Sequence, residues 1–202
     1  EVGGSLGREK ATGQGVIDTL VEMLPEIGLK INQSKVSILG YGNVGSWSAR
    51  IAQEMGAKVT HVMDHTGGLV NEKGFDTADL AAYVAQKGGV GGYSKGTTIK
   101  KDEFYSAKVD VFIPAALEQM IQEPEAKLIN AKVVAEGANA PTTPAGERAL
   151  LSKGIEVLPA ILCNAGGVTV SYFEWVQNKT SSYWDIEEVD RKLNQHMVAA
   201  AR

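Results

Sequence analysis

The stretch Lys35-Val36-Ser37-Ile38-Leu39-Gly40-Tyr41-Gly42-Asn43-Val44-Gly45 decides the fold. Val36 to Leu39 is a short apolar strand. It runs into glycines spaced G-x-G-x-x-G, and a helix pattern then covers Val44 to Met55 and stops at Gly56. In that setting the glycines serve different ends. Gly40 makes the tight turn, Gly42 leaves the backbone bare for a pyrophosphate, and Gly45 lets the helix lie close on the sheet. The helix N-terminus adds unpaired N–H groups and a partial positive charge. A second strand, Lys58 to Met63, follows and ends at Asp64, where an acid is expected to take both hydroxyls of an adenosine ribose. Asp64 disfavours a 2′-phosphate by repulsion. His65, Thr66 and Lys73 follow closely and are chemically able to accept one, so the 2′ preference stays open. A glycine turn in some other α/β fold is the competing interpretation, and strand, helix, strand and acid in that order weigh against it.

Outward from this unit, strands and helices alternate. Ala11 to Leu29 carries Val16, Leu20, Met23, Leu24 and Ile27 at helical spacing, with Pro25 predicting a kink or early end. Asp76 is placed to cap a helix reaching Val84, and Gly88 to Gly96 reads as a flexible loop. Further strands are predicted at Val109–Ile113, Lys132–Ala135 and Glu156–Leu158. Thr143-Pro144 opens a helix to Ser152, Val168 to Gln177 is another, and Asp185 with Glu188 starts the last. Together these predict an α/β fold: a Rossmann-like, doubly wound, mostly parallel sheet with helices on both faces.

Ligands of such sheets lie beyond the carboxyl ends of the strands. There the sequence places Pro114-Ala115-Ala116, Glu136-Gly137-Ala138-Asn139, and Asn164-Ala165-Gly166-Gly167 after Leu158-Pro159. Small residues leave room for a flat ring, and an asparagine both donates to and accepts from a carboxamide. Any one of these runs is ordinary turn chemistry, but together on one sheet edge they favour a ligand site.

Composition narrows the rest. The chain has 202 residues, 44% apolar and 22% charged, with a formal net charge of -4. At roughly 150 residues per domain that is enough for a packed core, and a single domain over 1–202 is expected. The slight acidity gives no broad attraction to nucleic acid or anionic lipid. No apolar run approaches the roughly 20 residues of a membrane span. A single cysteine, Cys163, allows no internal disulfide and favours a cytoplasmic location; a small core residue is its expected role. No cluster has metal-ligand spacing, and none of His61, His65 and His196 reads as a catalytic base. The chain begins at Glu1 and ends inside a helix pattern at Arg202, which raises the expectation of a piece of a longer protein.

Several runs resemble the glutamate dehydrogenases of the glutamate/leucine/phenylalanine/valine dehydrogenase family. They are Gly3-Gly4-Ser5-Leu6-Gly7-Arg8, Ala11-Thr12-Gly13-Gln14-Gly15-Val16, the glycine turn, Pro114-Ala115-Ala116, Glu136 through Thr143, Asn164 through Val168, and Ser171-Tyr172-Phe173-Glu174-Trp175. The resemblance runs in order over nearly the whole chain. Leucine and phenylalanine dehydrogenases share the fold and the N-A-G-G run, whereas S-Y-F-E-W is more like the glutamate enzymes. The resemblance implies a nicotinamide-dependent oxidative deamination of L-glutamate to 2-oxoglutarate and ammonia, with NAD, or NADP in some members, as cofactor. By the same resemblance Thr12 and Asn43 match cofactor contacts, Asn139 and Asn164 lie near the nicotinamide, and Ser171 touches the substrate carboxylate. The cofactor set is then Thr12, Gly40, Tyr41, Gly42, Asn43, Val44, Gly45, Asp64, His65, Pro114, Ala115, Ala116, Asn139 and Asn164. The family's catalytic Lys and Asp belong to a substrate domain with no counterpart in this sequence, so no catalytic residue is expected here. A hexameric homo-oligomer is implied for the longer enzyme. A non-catalytic NAD-sensing module is the competing interpretation from a different class.

Overall fold

A computed structural model describes residues 3–202; Glu1 and Val2, the start of the expected 1–202 domain, lie outside the described residues. The elements are α1 (Ala11–Met23), β1 (Lys35–Leu39), α2 (Asn43–Glu54), β2 (Lys58–Asp64), β3 (Gly67–Val70), α3 (Thr77–Lys87), β4 (Thr97–Ile99), α4 (Lys101–Ser106), β5 (Val111–Pro114), α5 (Glu123–Leu128), β6 (Val133–Ala135), α6 (Pro144–Ser152), β7 (Glu156–Leu158), α7 (Ala160–Cys163), α8 (Ala165–Thr180) and α9 (Ile186–Ala201). The described residues form a seven-stranded sheet in the order β4-β3-β2-β1-β5-β6-β7. β2, β1, β5, β6 and β7 are mutually parallel, as the alternation of strand and helix predicts.

Two strands depart from expectation. β3 returns antiparallel along β2 after the two residues His65 and Thr66, and β4 pairs antiparallel with β3. A segment reading G-G-L-V and a three-residue strand carry no period-two signal, so neither is legible as a strand. Gly88–Gly96 is not the free loop its glycines predict. Its first part is held against the end of β2, where Val90 N donates to Asp64 Oδ2 at 2.9 Å and Gly91 N to Thr66 Oγ1 at 2.8 Å. The first helix ends at Met23, six residues earlier than its apolar spacing runs. Pro25 lies in a 3-10 turn that closes on Gly28 at φ 72°. The N-A-G-G run is not a loop after a strand: Ala165, Gly166 and Gly167 are the first turn of α8.

The alternating side chains of the central strands build two cores. Val36, Ile38, Val111, Ile113, Val133 and Ala135 face one side with Val16, Ile17 and Leu20 of α1, Ala49 and Ala52 of α2, and Leu80 of α3. Leu39, Phe112 and Val134 face the other, against Phe104 and Tyr105 of α4, Ala126 of α5 and Leu150 of α6. A third cluster, Val170, Phe173, Val189, Leu193 and Met197, joins α8 and α9 to Ala11 of α1. Caps set the helix starts as the sequence predicts: Asp76 accepts from Asp79 N, Thr143 from Gly146 N and Asp185 from Glu188 N. No helix among the described residues is long and apolar enough to cross a membrane.

Phe112 is 1% exposed, stacked on Tyr105 at 5.8 Å and edge-on to Phe104 at 5.7 Å. Phe112→Ala is expected to lower unfolding free energy by about 3–5 kcal/mol, read from equilibrium urea denaturation.

Candidate functional site

The glycine turn sits where the carboxyl ends of β1 and β5 meet. Gly40 has φ 90°, and a Cβ on it would stand 2.7 Å from Ala116 Cα. A Cβ on Gly45 would stand 1.9 Å from Gly40 O, so the first turn of α2 lies directly on the end of β1. Gly42 is different: at φ -77° it needs no special backbone, and a Cβ there would meet nothing within 4 Å. That open space, above an α2 N-terminus with no side-chain cap and no acid in its first turn, fits a phosphate group held by backbone N–H.

Loop–loop hydrogen bonds set the rest of the rim. Ala115 N donates to Leu39 O at 2.7 Å, and Gly137 N and Ala138 N donate to Pro114 O at 3.0 and 2.9 Å. Gln119 N donates to Ala140 O at 2.9 Å, and both residues hold positive φ, 56° and 41°, without being glycine. Such backbone is uncommon outside glycine and here fixes the two loops that frame the rim.

The rim encloses a groove in two sections. One, of about 450 Å³, is lined by Gly40, Tyr41, Gly42, Asp64, His65, Val84, Gly88 and Met120 among others. The other, of about 610 Å³, is lined by Arg8, Thr12, Val44, Glu118, Gly137, Asn139, Asn164, Gly167 and Ser171 among others. Ala115, Ala116 and Leu117 line both, so the sections adjoin at the end of β5.

Most of the expected residues meet there, with differences in what they offer. Thr12 is in the first turn of α1, and α1 reaches the groove because it crosses α8 backbone to backbone: a Cβ on Gly166 would stand 2.2 Å from Ala11 O. Asn164 Nδ2 donates to Asn139 Oδ1 at 2.8 Å, joining two residues 25 apart in sequence. That pairing leaves an acceptor on Asn164 and a donor on Asn139. Tyr41 contributes only backbone, since its ring is 3% exposed and its hydroxyl donates to Thr77 O at 3.1 Å. Asn43 lies outside both sections, and its amide donates to Glu9 O at 2.9 Å, tying α2 to the segment before α1. Pro114 and Gly45 are buried beneath the groove floor. Asp64 accepts three hydrogen bonds within the chain, which does not fit the expectation that it takes two ribose hydroxyls.

Ser171 is not alone. Arg8 Nε donates to its Oγ at 2.9 Å, and that hydroxyl donates to Gly167 O at 3.0 Å. Arg8 carries no functional signal in the sequence, since its position before α1 gives no hint that α8 brings Ser171 beside it, 163 residues later. Leu117 and Glu118 also line the groove without any sequence signal.

Outside the groove, His61 is buried at Thr60 Oγ1, and burial lowers its pKa. His196 packs on Phe173 at 5.4 Å. Cys163 is 0% exposed, and burial pushes its thiol up to about 12.

Comparisons with known proteins agree with one another. A family model described as glutamate/leucine/phenylalanine/valine dehydrogenase matches residues 3–202. The glutamate dehydrogenase of Thermotoga maritima is 46% identical over 201 residues, which cover 99% of this chain and 48% of that protein. Among solved structures, the hetero-hexameric glutamate dehydrogenase of Thermus thermophilus in its Leu-bound form has a TM-score of 0.92 at 30% identity, covering 98% of this chain and 47% of that one. The glutamate dehydrogenase of Peptoniphilus asaccharolyticus has a TM-score of 0.83 at 37% identity, covering 98% and 46%. The chain therefore spans about half the length of these relatives.

The two inner glycines separate packing from ligand space. Gly45→Ala is expected to destabilise the fold by about 2 kcal/mol or more, while Gly42→Ala stays within about 0.5 kcal/mol of wild type; paired thermal and urea unfolding reads both. Cys163, protonated and buried, is expected to react with a thiol reagent at pH 8 only as fast as the chain unfolds, and at once in denaturant.

Proposed function

Since the chain belongs to the glutamate/leucine/phenylalanine/valine dehydrogenase family, we propose that residues 1–202 are a single dinucleotide-binding domain, that NAD lies along the groove, and that the longer protein oxidatively deaminates L-glutamate to 2-oxoglutarate and ammonia. The observation that carries this is that the two adjoining sections run from Asp64 and the glycine turn, past the end of β5, to the Arg8–Ser171 pair. Asp64 and His65 stand at the adenosine end, the backbone of Gly42 to Gly45 at the pyrophosphate, and Ala115, Ala116, Asn139 and Asn164 at the nicotinamide end. The nicotinamide, when bound, exchanges a hydride with the substrate carbon.

The chain's own residues position the reactants. The Asn139–Asn164 pair presents a donor and an acceptor, which matches a carboxamide and orients the ring. Arg8 spends Nε on Ser171, leaving the terminal amino groups of its guanidinium for a carboxylate of the substrate. Ser171 holds Arg8 in that orientation, and it donates to the same carboxylate only by turning its proton away from Gly167 O. Glu118 is the other charged group in this section and lies on the β5 side of it. Proton transfer from the amine is assigned to residues outside this chain, on the part of the longer relatives it does not span. A hexameric assembly of the longer protein and a cytoplasmic location belong to the same proposal.

Two measurements test it. NADH added to the chain is expected to bind with a shift in its fluorescence, and Gly42→Ala to weaken that binding about tenfold or more with stability unchanged; no binding at saturating NADH contradicts the proposal. In the longer protein, Ser171→Ala is expected to raise KM for glutamate about fivefold or more while changing that for NAD less than about twofold. Equal changes in both would remove Ser171 from the substrate site.

A further inference from the structure

Asp64 ends β2 on the groove wall, and its carboxylate is already engaged. Oδ1 accepts from Thr66 N at 2.8 Å and from Thr66 Oγ1 at 2.5 Å. Oδ2 accepts from Val90 N at 2.9 Å. A carboxylate offers roughly four acceptor positions, so both on Oδ1 and one on Oδ2 are filled, and a single position on Oδ2 remains. Thr66 Oγ1, having donated to Asp64, accepts from Gly91 N at 2.8 Å. The turn that supplies Val90 and Gly91 is itself fixed: Tyr83 donates its hydroxyl proton to Gly91 O at 2.8 Å, and a Cβ on Gly89 would stand 2.3 Å from Thr66 Cγ2.

We propose that Thr66, clamped between Asp64 and the Val90–Gly91 turn, is the positioning residue that sets the 2′ specificity of the cofactor. This rests on the proposal that the groove holds a nicotinamide dinucleotide. An unanchored aspartate can rotate away from a 2′-phosphate and leave His65 to meet it; Lys73 stands at the other end of β2, where Gly74 packs on Lys58 and Phe75 N donates to Val59 O, and takes no part. Asp64 cannot do so without breaking three hydrogen bonds, two of them made by Thr66. The clamp therefore keeps a negative charge where the phosphate would lie and presents one acceptor to one ribose hydroxyl. Discrimination arises from rigidity as well as charge, and its determinant includes a side chain with no ligand contact of its own.

Titrations of NADH and NADPH by fluorescence on the 202-residue chain, as wild type, Thr66→Val and Thr66→Ser, test this. Wild type and Thr66→Ser are expected to bind NADH at least about tenfold more tightly than NADPH, and Thr66→Val to narrow that ratio about fivefold by gaining NADPH affinity. An unchanged ratio in Thr66→Val, or an equal loss for both dinucleotides, overturns the inference, as does a wild type that binds NADPH as tightly as NADH. Should Thr66→Val fail to fold, wild type decides with NADH lacking either the 2′- or the 3′-hydroxyl of the adenosine ribose. A loss confined to the 2′-deoxy form supports the single open acceptor, and a comparable loss for both contradicts it. Wild type that binds neither dinucleotide removes the dinucleotide proposal itself, and the inference with it, a result distinct from a failure of the clamp.

Discussion

The contact between the backbone of Gly45 and the carbonyl of Gly40 holds the site in place. With 1.9 Å between that oxygen and where a Cβ would be, no other residue lets α2 start directly on the end of β1. The approach aims the helix N-terminus along the strand's own exit, over Gly42, and puts Ala116 against Gly40 from the neighbouring strand. Everything along the rim is registered to that point. β5 follows β1 through Ala115 N to Leu39 O, and β6 follows β5 through the two amides on Pro114 O. A second backbone approach, Gly166 against Ala11, brings α1 and α8 to the same edge and with them Thr12, Arg8 and Ser171.

Features fixed by short-range chemistry are legible in the sequence. The five parallel strands, the caps at Asp76, Thr143 and Asp185, and the break at Pro25 each depend on a handful of adjacent residues. The β3–β4 edge is not, because Gly67 and Gly68 remove the side-chain alternation by which a strand is recognised. Nor are the pairings that finish the site. Arg8 with Ser171, Asn139 with Asn164, and Thr66 with Gly91 join residues that only the sheet topology brings together. Tyr41 divides its roles: its place in the glycine motif puts it among the expected ligand contacts, and its backbone lines the groove, while its ring belongs to the core under α3.

The groove combines two kinds of recognition. At the proposed phosphate position, above Gly42, the protein offers backbone and a helix dipole, which need empty space more than particular side chains. At the two ends it offers charged side chains held by neighbours: Asp64 by Thr66 and Val90, Arg8 by Ser171. Groups held in this way lose little freedom when a ligand arrives, so their contribution goes to orientation. In the proposed complex, that suits a surface that presents one ring face to a substrate standing on the far side.

The central claim is that one dinucleotide spans this rim from Asp64 to Asn164. Amide chemical-shift mapping of the isotopically labelled chain during an NADH titration addresses it most directly. The account predicts saturable shifts at the amides of Gly40 to Gly45, at Val90, and at the side-chain amides of Asn139 and Asn164, all following one binding isotherm. Shifts confined to one end of the groove, or centred away from the carboxyl edge of the sheet, would contradict it.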